Sequence, residues 1–261
     1  MDGPAATPED LDRGLEIVNE RVSRTGPSEI IRLGDEEAVV GVLSEAVLGL
    51  WEVVNNLTRL RPTRRLRYRV TVFGSARTDP EHWAYASVRD LAEELTRLGC
   101  DIITGGGPGL MQAANEGARR AGADSDQCSV GIRVDLPFEQ DVNPFVGQAF
   151  EHRTFFSRLH HFVLVSDAFV VVPGGIGTVL ETMMIWQLLQ VRKLHDTPFI
   201  LAGAMWPELV EWARRSMLLP DGPLASPEDF AIPTCCRNGA EILDVIREHH
   251  GRWKATQEAR S

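Results

Sequence analysis

The chain has 261 residues, 43% of them hydrophobic, with a formal net charge of −10 and a pI near 5.2. This length is sufficient for one large α/β domain, or for one domain with an extension. The acidic balance argues against nucleic acid as the main partner, because a phosphate backbone requires a basic surface, although a local positive pocket for one small phosphate is compatible with it.

The N-terminal part of the chain predicts two helices. Thr7 followed by Pro8 and two acidic residues is typical of a helix start, and we expect a helix from Pro8 to about Val22. A heptad pattern of apolar residues predicts a second helix over Asp35–Leu60. That helix packs either on its own domain or against another subunit.

An arginine-rich stretch, Arg59–Arg69, follows the second helix. It is either a solvated linker or a contact for a phosphate or regulatory ligand. We therefore divide the chain into an N-terminal helical extension with its linker, residues 1–66, and a main domain, residues 67–255.

Strands alternate with helices from Tyr68 onward. The predicted strands are Tyr68–Phe73, Asp101–Thr104, Ser129–Leu136, Gly147–Phe150, Ala168–Val172, Phe199–Ala202 and Phe230–Ile232. The predicted helices are Pro80–Leu98, Leu110–Ala121, Thr154–Val165, Thr178–Gln190, Pro207–Met217 and Gly239–Trp253. This alternation predicts an α/β fold with a doubly wound, Rossmann-like, mostly parallel sheet that binds ligands at the carboxyl ends of its strands.

Glycine-rich turns follow three of these strands. They are Gly74-Ser75, Gly105–Gly109 and Pro173–Gly177, and the last leads directly into a helix. Backbone N–H groups and the helix dipole make such a turn an anion site. Glu181, about one turn into that helix, places a carboxylate beside the predicted phosphate site, which suggests chemistry there. Neither long loop matches GxGxxG in full or contains GK[ST], which disfavours a dinucleotide cofactor and an ATPase.

Two motifs together make a specific resemblance. The segment GGGPGLM at residues 105–111, combined with PGGIGTVLE at residues 173–181, resembles the Lonely Guy (LOG) family. These proteins are cytokinin riboside 5′-monophosphate phosphoribohydrolases, long labelled lysine decarboxylases. The resemblance covers about Tyr68–Gln190 and makes residues 67–255 a Rossmann-like, nucleotide-binding catalytic domain.

The resemblance implies a hydrolase with nucleoside 5′-monophosphate substrates such as AMP or N6-modified AMP. Cleavage of the N-glycosidic bond gives a free base and ribose 5-phosphate, as in cytokinin biosynthesis. It also implies a homodimer or a larger homo-oligomer. No cofactor and no metal are expected, since no His, Cys or carboxylate spacing is typical of a metal site.

The same resemblance assigns the site residues. Arg158 and Glu181 occupy the positions of the family's catalytic Arg and Glu, and a carboxylate at that point would stabilise an oxocarbenium-like transition state and position water. The predicted substrate contacts are Ser75, Gly106, Gly107, Glu139, Gly174, Gly175, Gly177 and Thr178.

Several positions depart from the family pattern, among them Phe155, Phe156 and Leu180, and three of them motivate an alternative hypothesis. Leu159 stands where the family usually has Lys, Ile176 where it has an aromatic residue, and Gln187 where Thr is common. The alternative hypothesis is therefore a nucleotide-binding sensor or carrier of the same fold that does not turn over. We reject a lysine decarboxylase, because pyridoxal phosphate requires an aldimine lysine and the chain has only Lys193 and Lys254.

Localisation is predicted from two absences in the sequence. No apolar run is long enough for a membrane span, and no signal-peptide pattern begins the chain. We therefore expect a soluble, cytoplasmic protein without a membrane partner, with Cys100, Cys128, Cys235 and Cys236 as reduced thiols.

Overall fold

A computed structural model of the chain describes residues 40–41, 67–122, 128–134 and 142–259. Its contacts divide the chain into two compact units, Met1–Leu60 and Arg61–Ser261, and the description below concerns the second. The predicted helix over Pro8–Val22, most of that over Asp35–Leu60 and the predicted site residue Glu139 lie outside the described residues. The domain boundary after residue 66 stays a prediction.

The described part of the second unit forms one seven-stranded parallel sheet in the order β4-β3-β2-β1-β5-β6-β7. The strands are β1 (Tyr68–Phe73), β2 (Cys100–Thr104), β3 (Ser129–Val134), β4 (Gln148–His152), β5 (Ala168–Val171), β6 (Phe199–Ala202) and β7 (Thr234–Cys236). The helices are α1 (Trp83–Arg97), α2 (Leu110–Arg120), α3 (Phe155–Val165), α4 (Ile176–Gln190), α5 (Met205–Met217) and α6 (Gly239–Ala259). A 3₁₀ helix, Pro227–Ala231, lies between α5 and β7.

The chain reverses direction across the sheet at β1. From β1 it builds outward through β2, β3 and β4, and β5 then returns to pair with the other side of β1. This confirms the predicted doubly wound α/β fold. The carboxyl ends of β1 and β5 therefore mark the switch point, where ligands bind in open parallel sheets.

Side-chain alternation along β1 explains how both faces are covered. Tyr68, Val70 and Val72 point to one face, where they join a buried core with residues of α1, α2 and α6. Phe73 points to the other face, where the core includes residues of α3, α4 and α5. There the Phe73 ring meets Phe162 of α3 edge-on, with ring centroids 5.0 Å apart.

One predicted strand is wrong, and several predicted helices begin or end at other residues in the structure. The predicted strand Phe230–Ile232 is wrong, because Ser226 and Asp229 form a capping box that starts the 3₁₀ helix, and the last strand is β7. Helix α4 begins at Ile176 rather than Thr178, so Gly177 lies in its first turn. Helix α6 extends past the predicted end at Trp253 to Ala259.

Two adjacent histidines of α6 are buried against β1. The Tyr68 hydroxyl lies 2.6 Å from His249 Nδ1, and His249 Nε2 lies 2.7 Å from the carbonyl oxygen of Asp196. His250, 3% exposed, packs against the Tyr68 ring with centroids 5.0 Å apart. Burial, followed by the positive charge of Lys254, lowers the pKa of His250 to about 4.

We predict that this burial makes stability depend on pH. The folded state keeps His250 neutral while the unfolded chain takes up a proton below about pH 6.5, so acid favours unfolding. Between pH 7.5 and pH 5, His250 alone should lower the free energy of unfolding by up to about 2 kcal/mol. In His250→Phe, urea unfolding should show a correspondingly weaker decline, after correction for the packing difference measured at pH 8. An equal decline in both proteins would contradict this.

Candidate functional site

Arg158 is held by α3 beneath the carboxyl edge of the sheet. The Thr154 side chain caps this helix by accepting a hydrogen bond from the backbone N–H of Ser157 at 3.2 Å. Arg158 is 9% exposed, and its Nε donates to the carbonyl oxygen of Ile132 at 2.8 Å. Its Cζ lies 5.5 Å from the centroid of the Phe162 ring. The guanidinium is thus fixed by a strand, by its own helix and by an aromatic ring.

Glu181 of α4 faces the same guanidinium. Its Oε1 lies 3.9 Å from Arg158 Nη1, and the two side chains are 13% and 10% exposed. This distance permits strong attraction between the charges in a poorly solvated setting but is too long for a hydrogen bond. The structure therefore brings together the two residues predicted to be catalytic, which are 23 positions apart in the sequence.

The backbone of Ser75 joins the two glycine loops. Its N–H donates to the carbonyl oxygen of Pro173 at 3.0 Å, and its own carbonyl accepts from the N–H of Leu110 at 2.8 Å. Gly109, with φ of +67°, passes so close to the Ser75 carbonyl that a Cβ there would collide with it. The Ser75 hydroxyl accepts a hydrogen bond from the backbone N–H of Arg77 at 3.0 Å.

The absence of a side chain at Gly105 leaves room for the Arg158 guanidinium beside the glycine loop. The Nη2 atom of Arg158 lies where a Cβ of Gly105 would be, so a larger residue would displace the guanidinium. Gly106 and Gly107 follow Gly105 directly, and all three glycines line one cavity together with Arg158. The glycines of this loop therefore do more than permit a tight turn.

A buried polar network that the sequence did not predict supports this loop. Asn143 Nδ2 lies 3.1 Å from the Gly106 carbonyl, 3.0 Å from the Gly107 carbonyl and 3.0 Å from Asn115 Oδ1. Asn115, fully buried in α2, also accepts from the Thr104 hydroxyl at 2.7 Å and donates to the Ser129 hydroxyl at 2.9 Å. The network fixes the carbonyl groups of Gly106 and Gly107, and with them the position of the loop.

The second glycine turn ends at the N-terminus of α4. Gly175 is the N-cap residue, and the side chain of Thr178, 5% exposed, lies against Gly174. Gly175 and Gly177 are exposed. The first N–H groups of a helix have no acceptor within the helix and carry partial positive charge. This turn therefore has the geometry of an anion site.

A cavity of about 360 Å³ lies next to the Arg158–Glu181 pair. Its lining includes Gly105–Gly107, Met111 and Arg158, together with Arg77 and Arg133. The last two were not predicted as site residues. Arg77 could have been found, because it lies two residues after Ser75, in the turn that follows β1. Arg133 gave no signal, because it lies inside the strand β3.

Other predicted features lie away from this cavity. Lys193 follows the C-terminus of α4, and helices of a parallel sheet end at the amino edge, opposite the site. Lys254 lies near the end of α6, at the same far edge. No lysine of the described residues lines the cavity, so its residues do not fit pyridoxal phosphate.

Two histidines lie next to each other at β4 and α3. The ring nitrogens of His152 and His161 are 2.8 Å apart, and the described residues hold no cluster of three metal-ligating side chains.

A family model described as "Possible lysine decarboxylase" matches residues 111–246, which is more than half of the chain. The chain belongs to this family. It is the family that the two glycine motifs resemble.

Curated relatives of this LOG-family chain carry names of nucleotide hydrolases. A pyrimidine/purine nucleotide 5′-monophosphate nucleosidase of Escherichia coli is 27% identical over 140 residues, which cover 51% of this chain and 30% of that protein. A probable cytokinin riboside 5′-monophosphate phosphoribohydrolase of Arabidopsis thaliana is 32% identical over 42% of this chain and 53% of the relative. A rice protein of the same description is 26% identical over 69% and 84%.

Solved structures share the fold. The molybdenum cofactor carrier protein of Chlamydomonas reinhardtii superposes with a TM-score of 0.54 at 18% identity, covering 71% of this chain and 99% of that one. The molybdenum cofactor binding protein of Rippkaea orientalis gives 0.53 at 18% identity, covering 71% and 98%. At this identity the likeness concerns the fold alone. No helix among the described residues has the length and apolar character of a membrane span.

We predict that Asn115→Leu destabilises the loop support. The change removes the amide that links Thr104, Ser129 and Asn143, and it leaves buried polar groups without partners. The free energy of unfolding should fall by about 2–3 kcal/mol in urea denaturation. Gln148→Leu, on the exposed edge strand β4, should change it by less than about 0.5 kcal/mol. Equal stability of Asn115→Leu and the wild type would show that the network does not hold the loop.

Proposed function

We propose that this protein hydrolyses the N-glycosidic bond of nucleoside 5′-monophosphates to a free base and ribose 5-phosphate. The observation that carries the proposal is the buried Arg158–Glu181 pair, whose arginine lines a ligand-sized cavity and whose glutamate lies in the second turn of α4. The names of the curated relatives support the same reaction.

In this proposal the 5′-phosphate binds the first turn of α4. The phosphate oxygens accept hydrogen bonds from the backbone N–H groups of Gly174, Gly175 and Gly177 and from the hydroxyl of Thr178. Glu181 follows Thr178 by less than one helical turn, about 4.5 Å along the axis. A ribose attached to the bound phosphate is therefore within reach of the carboxylate, and Ser75, Gly106 and Gly107 border the space beyond it.

The chemistry then divides between the two buried side chains. As the bond between C1′ and the base nitrogen breaks, its electron pair leaves with the base and positive charge develops on the ribose. The Glu181 carboxylate stabilises that charge and accepts a proton from the attacking water, whose oxygen bonds to C1′. Arg158 donates hydrogen bonds to the departing, electron-rich base or to the phosphate. The base takes up a proton from solvent as it leaves, and Glu181 returns to solvent the proton that it accepted from water, so that the net reaction consumes one water molecule.

Several finer points belong to the proposal. Glu139, which lies between β3 and β4 in the sequence, is proposed as a further substrate contact. The protein is proposed to act in the cytoplasm as a homodimer or larger homo-oligomer, without nucleic acid or membrane as a partner. AMP and N6-modified AMP are the substrates that the family resemblance implies.

A second candidate is a nucleotide carrier or sensor that uses the same site without turnover. The departures from the family pattern favour it. Leu159, 7% exposed, supplies no second cation beside Arg158, and Ile176, 87% exposed, supplies no ring for stacking. Calorimetric binding of nucleoside monophosphates without release of base would support this candidate over the hydrolase.

We predict that Glu181→Gln abolishes most of the hydrolysis. The amide keeps the size of the side chain but neither accepts the proton nor stabilises the oxocarbenium charge. The kcat for release of base from a panel of purine and pyrimidine monophosphates, AMP included, should fall about 10²- to 10⁴-fold. The substrates and the base should be separated by chromatography, with calorimetry to show that the variant still binds.

Glu208→Gln is the matched control, since Glu208 lies in the first turn of α5 at the same sheet edge but is exposed and outside the cavity. It should retain wild-type activity. Folded wild-type protein that releases base from none of the monophosphates would contradict the proposed function, and unchanged kcat in Glu181→Gln would contradict the role of the carboxylate.

A further inference from the structure

The lining of the cavity beside the Arg158–Glu181 pair includes three arginines, Arg77, Arg133 and Arg158. A guanidinium offers only hydrogen-bond donors. Three arginines around one cavity give it a local positive charge, although the chain as a whole has a net charge of −10. Hydrogen-bond acceptors and negative charge on a ligand would be stabilised there.

Arg158 uses its Nε for the Ile132 carbonyl and directs Nη1 toward Glu181, so fewer of its donors remain for a ligand than those of Arg77 and Arg133. Arg133 is paired with Glu151 through Nε at 3.7 Å, and the Glu151 side chain is 60% exposed. That ion pair does not use the terminal amino groups of Arg133. Arg77 is exposed at the turn after β1. Both side chains can therefore donate to a bound molecule.

Met111 gives the same cavity a surface suited to a flat ring. Its Sδ lies 2.7 Å from the position of a Cβ on Gly105, and its Cε lies 2.8 Å from that on Gly107. The thioether therefore runs along the glycine loop. A polarisable sulfur makes favourable contacts with aromatic rings. The cavity thus combines an apolar contact with donors.

The position of the cavity indicates which part of a substrate enters it. Arg158 lies between the cavity and Glu181, and Gly105 lies directly beside its guanidinium. With the phosphate at α4 and the ribose at Glu181, the base extends past Arg158 into this cavity. This step depends on the proposed function.

We propose that Arg133 and Arg77 make the site selective for bases with an acceptor edge, so that 6-oxopurine monophosphates are preferred over 6-aminopurine ones. An arginine pairs with O6 and N7 of a 6-oxopurine through two hydrogen bonds. Adenine presents an N6 amino donor at the same place, so a donor faces a donor. A site built to bond one group rejects an analogue that lacks it, because its own polar groups are left without partners.

The test compares IMP with AMP, which carry the oxo and the amino group at the same ring position. For the wild type, kcat/KM should be about tenfold higher for IMP. In Arg133→Gln the ratio should fall to about one or reverse, because a glutamine amide pairs with N6 and N7 of adenine. Arg77→Gln should lower the IMP to AMP ratio as well. Because Arg77 is exposed, this substitution should leave the protein folded, and the lower ratio would reflect the lost hydrogen bonds to the base.

Arg247→Gln is the matched control, because Arg247 lies on the surface of α6, outside the cavity, and pairs with Asp244. Its IMP to AMP ratio should equal that of the wild type. Cleavage of AMP as fast as IMP by the wild type, or an unchanged ratio in both cavity variants, would overturn this inference and leave the proposed function standing. Failure to cleave either nucleotide would overturn the proposed function, and the inference with it.

Discussion

The site depends on one buried guanidinium. Arg158 is charged and 9% exposed, and such a group is tolerated only where it is paired and hydrogen-bonded. The carbonyl of Ile132, the ring of Phe162 and the carboxylate of Glu181 supply these contacts from β3, α3 and α4. Each contact also fixes the position of its own element. The requirement to stabilise one charge thereby sets the geometry of the Arg158–Glu181 pair.

The strand order of the sheet places the two glycine loops beside the Arg158–Glu181 pair. At the switch point the carboxyl ends of β1 and β5 lie side by side, and the backbone of Ser75 ties the turn after β5 to the start of α2. Asn115 and Asn143 hold the other glycine loop from beneath. Both loops are therefore rigidly placed relative to the Arg158–Glu181 pair, as a site needs if it is to be preorganised rather than formed on binding.

Local signals in the sequence predicted much of this structure. Apolar runs followed by glycine turns marked β1, β2, β5 and α4, and the family motifs assigned Arg158 and Glu181, which the fold brings together. The failures concern tertiary structure. The apolar residues around Phe230 favour a strand, but the capping box of Ser226 and Asp229 starts a 3₁₀ helix there instead. Arg133 and Asn115 carry no local motif. The contact of Asn115 with Asn143 depends on the packing of α2, and the place of Arg133 at the cavity depends on the register of β3 with β2.

The most direct test of the account is a crystal structure of Glu181→Gln with a nucleoside 5′-monophosphate. We predict that the phosphate accepts hydrogen bonds from the first-turn N–H groups of α4 and from Thr178. The anomeric carbon should then lie between residue 181 and Arg158, and the base should lie in the cavity along Met111. A nucleotide bound elsewhere, with its glycosidic bond remote from both side chains, would contradict the account.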